Sequence, residues 1–245
     1  MYSKIMLVIF NSINLKPFQI PKLRGFFSHK FPEDTEFHNH LPDGSYSYKF
    51  PQIQYRIVNK HPALIGINSG IDILKRLFFE LEDLIIDNKI YHLQEKEIML
   101  KSVQIGQTDD YIEYSFISPW MALNEDNYQD YLTLNNIEKQ NFLKHILREN
   151  LKTLSKGFNY WIQDIEQIKV EGYFKPKQVN FKNQKMLCFT GDFTTNFQIP
   201  KYLGLGKQSA RGFGVVKQAT MPSSQSESTE SDDADHRPTE EGDFA

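Results

Sequence analysis

Ile5 to Leu15 is a nearly unbroken apolar run, and the chain behind it switches repeatedly between the two-residue period of a strand and the 3.6-residue period of a helix. Ile20 to Phe27 suits a short helix with Pro21 in its first turn. Ile53, Tyr55 and Ile57 then alternate with Gln52, Gln54 and Arg56, and Ala63 to Ile67 follow across an Asn59-Lys60-His61-Pro62 turn, which reads as a hairpin. Ile71, Leu74, Phe78 and Leu81 recur at helical spacing behind Ser69, a candidate N-cap, and Ile98 to Ile105 return to strand composition. The order β-α-β-β-α-β predicts a ferredoxin-like, α+β unit.

A second cycle opens with alternation over Tyr111 to Phe116 and continues into a helix over Asn136 to Lys156 that ends at Gly157. Leu143, Ile146, Leu147, Leu151 and Leu154 form its apolar stripe, and Lys139, Lys144, Arg148, Lys152 and Lys156 its outer face. Ile168 to Val179 and Lys185 to Ile199 predict a long hairpin across Asn183-Gln184, and Phe213 to Lys217 a last strand. Only a short helical turn, around Pro200 to Leu203, stands where a second helix would be. The expectation is two tandem ferredoxin-like (RRM-like) domains, residues 1–106 and 107–220, the second ending in a glycine-rich loop. The duplication is one of element order, since the halves share no sequence repeat.

That loop is Gly204-Leu205-Gly206-Lys207-Gln208-Ser209-Ala210-Arg211-Gly212-Phe213-Gly214, four glycines in a G-x-G-x5-G-x-G arrangement with two cations between the pairs. Paired glycines permit positive φ and bring backbone N–H groups towards an anion, while Lys207 and Arg211 add charge. The spacing is neither a P-loop nor a dinucleotide fingerprint. A tight link between two strands is the plainer alternative.

A glycine-rich loop of this spacing, near the chain's end and leading into a final strand, resembles the hallmark of the CRISPR-associated Cas6 endoribonucleases of the RAMP superfamily. The strands Phe50 to Arg56 and Leu64 to Ile67 look like the N-terminal hairpin of that family, particularly its Cas6b branch. The resemblance spans about residues 1–220. It implies cleavage of precursor CRISPR RNA without metal or cofactor, the ribose 2′-hydroxyl attacking the neighbouring phosphorus to give a 2′,3′-cyclic phosphate and a 5′-hydroxyl. It also implies other Cas proteins of an interference complex as partners, and a homodimer as in some relatives.

Such chemistry asks the protein to move two protons and to stabilise charge on phosphorus, tasks suited to imidazole near neutral pH. Of seven histidines, His38 and His40 in Glu36-Phe37-His38-Asn39-His40-Leu41-Pro42-Asp43-Gly44 are the candidate catalytic pair, His40 slightly ahead. In an extended segment their side chains share a side at a spacing of about 7 Å. The resemblance places a catalytic histidine here as well. A metal half-site is the competing reading, although Cys188, the single cysteine, sits in an apolar strand and no second histidine cluster completes a ligand set. An ordinary exposed loop is the other. Lys30, Lys49, Lys207 and Arg211 are candidates for charge stabilisation, and Tyr46 and Tyr48 for hydroxyl donors. A second RNA surface is suggested by Lys169, Lys175, Lys177, Lys182 and Lys185 interleaved with Tyr173, Phe174 and Phe181, against the alternative of an amphipathic hairpin with lysines outward. The RNA-binding candidates are thus Gly204, Gly206, Lys207, Gln208, Ser209, Arg211, Gly212, Gly214, Lys175 and Lys177.

Two other functions compete. A non-catalytic subunit would hold repeat RNA with the same loop. A 2H phosphoesterase would need two His-x-Thr/Ser motifs, and no histidine here is followed two residues later by Thr or Ser.

The formal net charge of -3 at first opposes a nucleic-acid partner. From Met221 onward, however, the chain holds eight acids against Arg237, so residues 1–220 carry 27 basic and 23 acidic residues. The segment 221–245 is expected to be a disordered acidic tail. The early apolar run is far too short to span a membrane and no cleavage site follows it, so the expected compartment is the cytoplasm. Deleting Met221 to Ala245 should leave RNA affinity unchanged or slightly higher in a filter-binding titration. A large loss would assign the tail a role in binding.

Overall fold

The computed structural model describes residues 1–37 and 49–219. The His38/His40 segment, with Tyr46 and Tyr48, and the tail lie outside the described residues.

The first half contains β1 (Tyr2–Phe10), α1 (Ile20–Lys30), β2 (Ile53–Val58), β3 (His61–Ile67), α2 (Ser69–Glu80), a ribbon of β4 (Asp83–Ile86) and β5 (Lys89–His92), and β6 (Lys96–Gln104). The four long strands form an antiparallel sheet in the order β2-β3-β1-β6, the ferredoxin-like arrangement. The apolar run at the N-terminus is explained by a sheet that is covered on both faces. Ile5, Leu7 and Ile9 point with Ala63, Ile65 and Ile67 towards a core shared with the second half. Met6, Val8 and Phe10 point with Leu64 towards Leu23 and Phe27 of α1 and Leu74 and Leu77 of α2.

The second half contains β7 (Gly106–Phe116), α3 (Glu125–Thr133), α4 (Asn136–Gly157), β8 (Val170–Phe181), β9 (Gln184–Gln198) and β10 (Val216–Gln218). Its sheet order, β10-β7-β9-β8, repeats that of the first sheet strand for strand. Leu143, Leu147, Leu151 and Leu154 of α4 pack on Phe174, Phe193 and Phe197 of this sheet, as the helical stripe predicts. Two ferredoxin-like units in an α+β fold therefore stand behind the alternating pattern.

Several local expectations change. The first strand stops at Phe10, and Ile13 and Leu15 reach the core from the loop behind it. The N-cap of α2 is Asn68, at φ 46°, not Ser69, and its Nδ2 donates to Gly157 O instead of capping. The hairpin turns fall at Asn59-Lys60 and Lys182-Asn183, pairs with positive φ that match the twist of two-residue hairpins. The last strand begins at Val216, and the short helical turn lies at Ser209–Arg211 instead of near Pro200. The ribbon and α3 are additions, although Asp87-Asn88 and the capping box Asn124/Asn127 are signals for both.

Because the first sheet supplies one wall of the common core, Leu7→Ala should destabilise both halves together, by about 2–5 kcal/mol. Both tryptophans, Trp120 and Trp161, lie in the second half. Their fluorescence midpoint in urea should therefore fall with the circular-dichroism midpoint. A fluorescence transition left at the wild-type midpoint would mean that the halves unfold independently.

Candidate nucleic-acid interface

The chain between β9 and β10 occupies the position of the missing second helix. Leu203 to Leu205 and Gly214 to Val216 run antiparallel as a neck, tied by Leu205 N to Gly214 O at 2.9 Å and Val216 N to Leu203 O at 3.3 Å. Residues 206–213 project from it. Gly206, at φ +78°, lies so close to the Trp120 indole N–H that a Cβ would sit 2.7 Å from Nε1. That N–H donates to Asn150 Oδ1 on α4 at 3.0 Å, so the loop is seated on the second half's own helix.

The other anchor comes from the first half. On β2, Gln54 and Arg56 are buried, so the polar side of the alternating strand faces protein instead of water. Arg56 Nε donates to Tyr202 O at 2.8 Å, and Nη1 to Tyr55 O and Ser209 O, both at 2.7 Å. Arg56 Nη2 donates to Gln54 Oε1, which also accepts from Gly204 N at 3.0 Å. A Cβ on Gly204 would lie 2.5 Å from Phe213 O and 2.7 Å from Arg56 Nη2, so glycine here makes room for the neck's backbone and for this guanidinium together. Burial lowers the pKa of Arg56 to about 9, which leaves it charged at neutral pH. Neutral carbonyls and an amide solvate the charge, and the sequence pattern contains no sign of this role.

The backbone N–H groups of Gly204, Leu205, Lys207, Arg211, Gly212, Phe213 and Gly214 all donate within the protein. The expectation of a loop whose glycines present N–H donors to an anion is therefore corrected for these seven. Here glycine provides close approach and turn geometry. Lys207 is exposed. Arg211 is half-buried, with Nη1 donating to Gln208 Oε1, while Ser209 is buried under the loop.

Lys175 and Lys177 are exposed on β8, an edge strand. Phe174 is fully buried against Trp120, so it is core and not a stacking platform. Phe181 packs edge-on against Phe213 of the loop at 5.3 Å, which joins the hairpin tip, with Lys182, to the glycine-rich element. The outer cations of α4 are already occupied. Lys144 pairs with Glu171 at 3.0 Å, Arg148 with Glu166 at 2.8 Å and Lys152 with Glu149 at 3.8 Å, while Lys139 and Lys156 lie over Tyr131 and Trp161.

Among the described histidines, His61 Nδ1 lies 2.8 Å from Ile13 O and His92 pairs with Asp83, and His29 and His145 are exposed. Lys30 and Lys49 are exposed too. Cys188 is buried, and burial raises its thiol pKa to about 11. Among the described residues no three His, Cys, Asp or Glu side chains form a metal-binding group, and no helix is long and apolar enough to cross a membrane.

Two tandem ferredoxin-like units in an α+β fold are the architecture of solved Cas6 structures. A solved CRISPR-associated protein Cas6, 16% identical with a TM-score of 0.52, shares the fold over 90% of this chain and 100% of its own. The family models for the Cas6b N-terminal and C-terminal domains match residues 1–104 and 106–219, so the chain belongs to the Cas6b family. Two crystal structures, one of Cas6b and one of a CRISPR RNA processing endoribonuclease Cas6b, are 38% and 34% identical with TM-scores of 0.83 and 0.72. Each match covers 89% of this chain and 100% of the other. The uncharacterized protein MJ0978 of Methanocaldococcus jannaschii is 33% identical over 140 residues, 57% of this chain and 95% of its own.

Arg56→Met removes the shared anchor and strands the carbonyls of Tyr202 and Ser209. The expected cost is on the order of 3 kcal/mol, at about 1–3 kcal/mol for each buried group left unpaired. Hydrogen exchange should accelerate at Gly204 and through the loop more than in α4. Uniform acceleration across both regions would show that Arg56 supports the whole fold and has no particular hold on the loop.

Proposed function

We propose that this Cas6b chain cleaves precursor CRISPR RNA within the repeat without metal, the 2′-hydroxyl attacking the adjacent phosphorus to give a 2′,3′-cyclic phosphate and a 5′-hydroxyl. The RNA supplies the nucleophile and the leaving group, so the protein has only to hold the strand, move two protons and stabilise charge. His40 and His38 are the proton-transfer pair, one as base and the other as acid. Lys207 and Arg211 draw the backbone to the glycine-rich loop, and Lys175 and Lys177 extend the path along β8.

The observation that carries this reading is the common footing of loop and histidine segment on α1. Ile20 Cδ1 lies 3.2 Å from where a Cβ on Gly212 would be. Two turns later, Ser28 Oγ donates to the carbonyl of Phe37, whose ring stacks on Phe27. Phe37 directly precedes His38 in the chain, and connectivity keeps His40 within three peptide units of it. One helix thus leads from the phosphate-seeking loop to the root of the imidazole-bearing segment.

The proposal extends to the setting: a cytoplasmic protein with domains 1–106 and 107–220, partnered by other Cas proteins that take up the guide RNA, and able to pair as a homodimer.

Repeat RNA should be cut at one position in EDTA, leaving a cyclic phosphate, and should not be cut when the target nucleotide lacks its 2′-hydroxyl. His40→Ala should slow single-turnover cleavage by about 10²–10⁴-fold and His38→Ala within the same range, both with unchanged RNA affinity. Cleavage at the wild-type rate in both variants would remove the pair from the mechanism. Tight binding with no product from any candidate repeat would favour a non-catalytic RNA-binding subunit.

A further inference from the structure

Arg24 lies on α1 between Ile20 and Ser28, one turn from each, and so midway between the glycine-rich loop and Phe37. Only 8% of it is exposed. Among the described residues its guanidinium donates no hydrogen bond and is ion-paired with no carboxylate, although its own carbonyl accepts from Ser28 Oγ. Beside it on β2, the Tyr55 side chain is fully buried and its hydroxyl has no hydrogen-bond partner. Burial holds the Arg24 pKa below its usual range, with Tyr55 opposing it. Burial also pushes Tyr55 far above the ordinary phenol range, and the charges of Arg24 and then Arg211 act against that shift. Two cations from different halves of the molecule therefore bear on one orphaned hydroxyl.

The Arg24 nitrogens are not among the fully enclosed side-chain atoms that lack a partner, so the small exposed part of the residue includes its guanidinium, whose donors no described group takes up. Arg56, nearby, shows the contrast, since carbonyls and an amide take up its donors. Arg24 has donors to spare, which an anionic oxygen accepts from, while the Tyr55 hydroxyl is enclosed behind it.

We propose that Arg24, with Arg211 nearby, forms a subsite for one phosphodiester of the RNA strand as it leaves the glycine-rich loop along α1. The inference rests on the RNA-processing reading. Arg24 is bidentate-capable, which suits two non-bridging oxygens of a phosphate.

The Arg24 guanidinium holds no described partner within the protein, and this gives the test its sign. Arg24→Met keeps the length of the side chain and removes the uncompensated charge. Its thermal midpoint without RNA should be unchanged or higher than wild type, while affinity for repeat RNA carrying a 2′-deoxy target nucleotide should fall by at least about tenfold. The slope of log affinity against log salt should shrink by about 0.7, the share of one single-strand phosphate. Arg24→Lys should recover most of the slope and less of the affinity. A lower midpoint for Arg24→Met with wild-type RNA affinity and slope would make Arg24 a structural residue and overturn the subsite. Inorganic phosphate provides an arm that needs no RNA. It should raise the wild-type midpoint more than chloride at equal ionic strength, and this excess should vanish in Arg24→Met. An excess that persists in Arg24→Met would also overturn the subsite. If wild type binds no repeat RNA yet shows the Arg24-dependent phosphate effect, the RNA-processing reading fails and the anion site stands.

Discussion

The buried guanidinium of Arg56 is the interaction on which the arrangement of the site depends. A charge out of water needs its donors satisfied, and four acceptors do this, Tyr55 O and Gln54 Oε1 from strand β2 and Tyr202 O and Ser209 O from the chain between β9 and β10. Three consequences follow from one side chain. The loop keeps a fixed shape although its tip has little core of its own. The first half holds a segment that belongs to the second. Gly204 makes room for the guanidinium as well as for the neck's own backbone.

The sheet pattern and the main helix were legible in the sequence because each rests on a period and a burial stripe. β1 and β3 read as continuous apolar runs because both faces of their sheet are covered, and α4 reads as amphipathic because one face is. The glycine-rich loop was legible through spacing. What a period cannot report is the identity of the cover. Gln54 and Arg56 alternate with apolar residues as a solvent-facing side would, yet what covers them is a loop about 150 residues further along the chain. The same limit applied to Phe174, whose position between lysines suggested a platform and whose actual neighbours are Trp120 and Phe193. His38 and His40 lie outside the described residues, so their reading remains one of sequence.

Charge separates the surfaces more sharply than composition does. The outer face of α4 is rich in cations, but three of the five pair with glutamates and two lie on aromatic rings. Exposed pairs of this kind contribute little to stability, and they reduce the field that the helix presents to a polyanion. At the loop the balance is reversed. Lys207, Arg24 and Arg56 gather there, and none of these three is ion-paired with a described carboxylate. A net charge near neutrality is thus compatible with a phosphate-seeking surface when the acids are spent on one face and withheld from another.

The two buried arginines divide the work of that surface because of where their donors point. Arg56 turns inward to backbone carbonyls and is saturated, so it acts by holding shape, and its charge reaches a ligand only as a field. Arg24 is placed one turn from the loop contact on α1 with its donors unspent and its guanidinium within reach of solvent. Field alone would leave the strand free to slide, because a potential does not select one phosphate over the next. Directional donors at a fixed site do select, since a phosphate must stop where its oxygens meet them. A saturated arginine behind the loop and an unsaturated one beside it therefore supply, from the same residue type, the attraction and the register that cleavage at a single linkage requires.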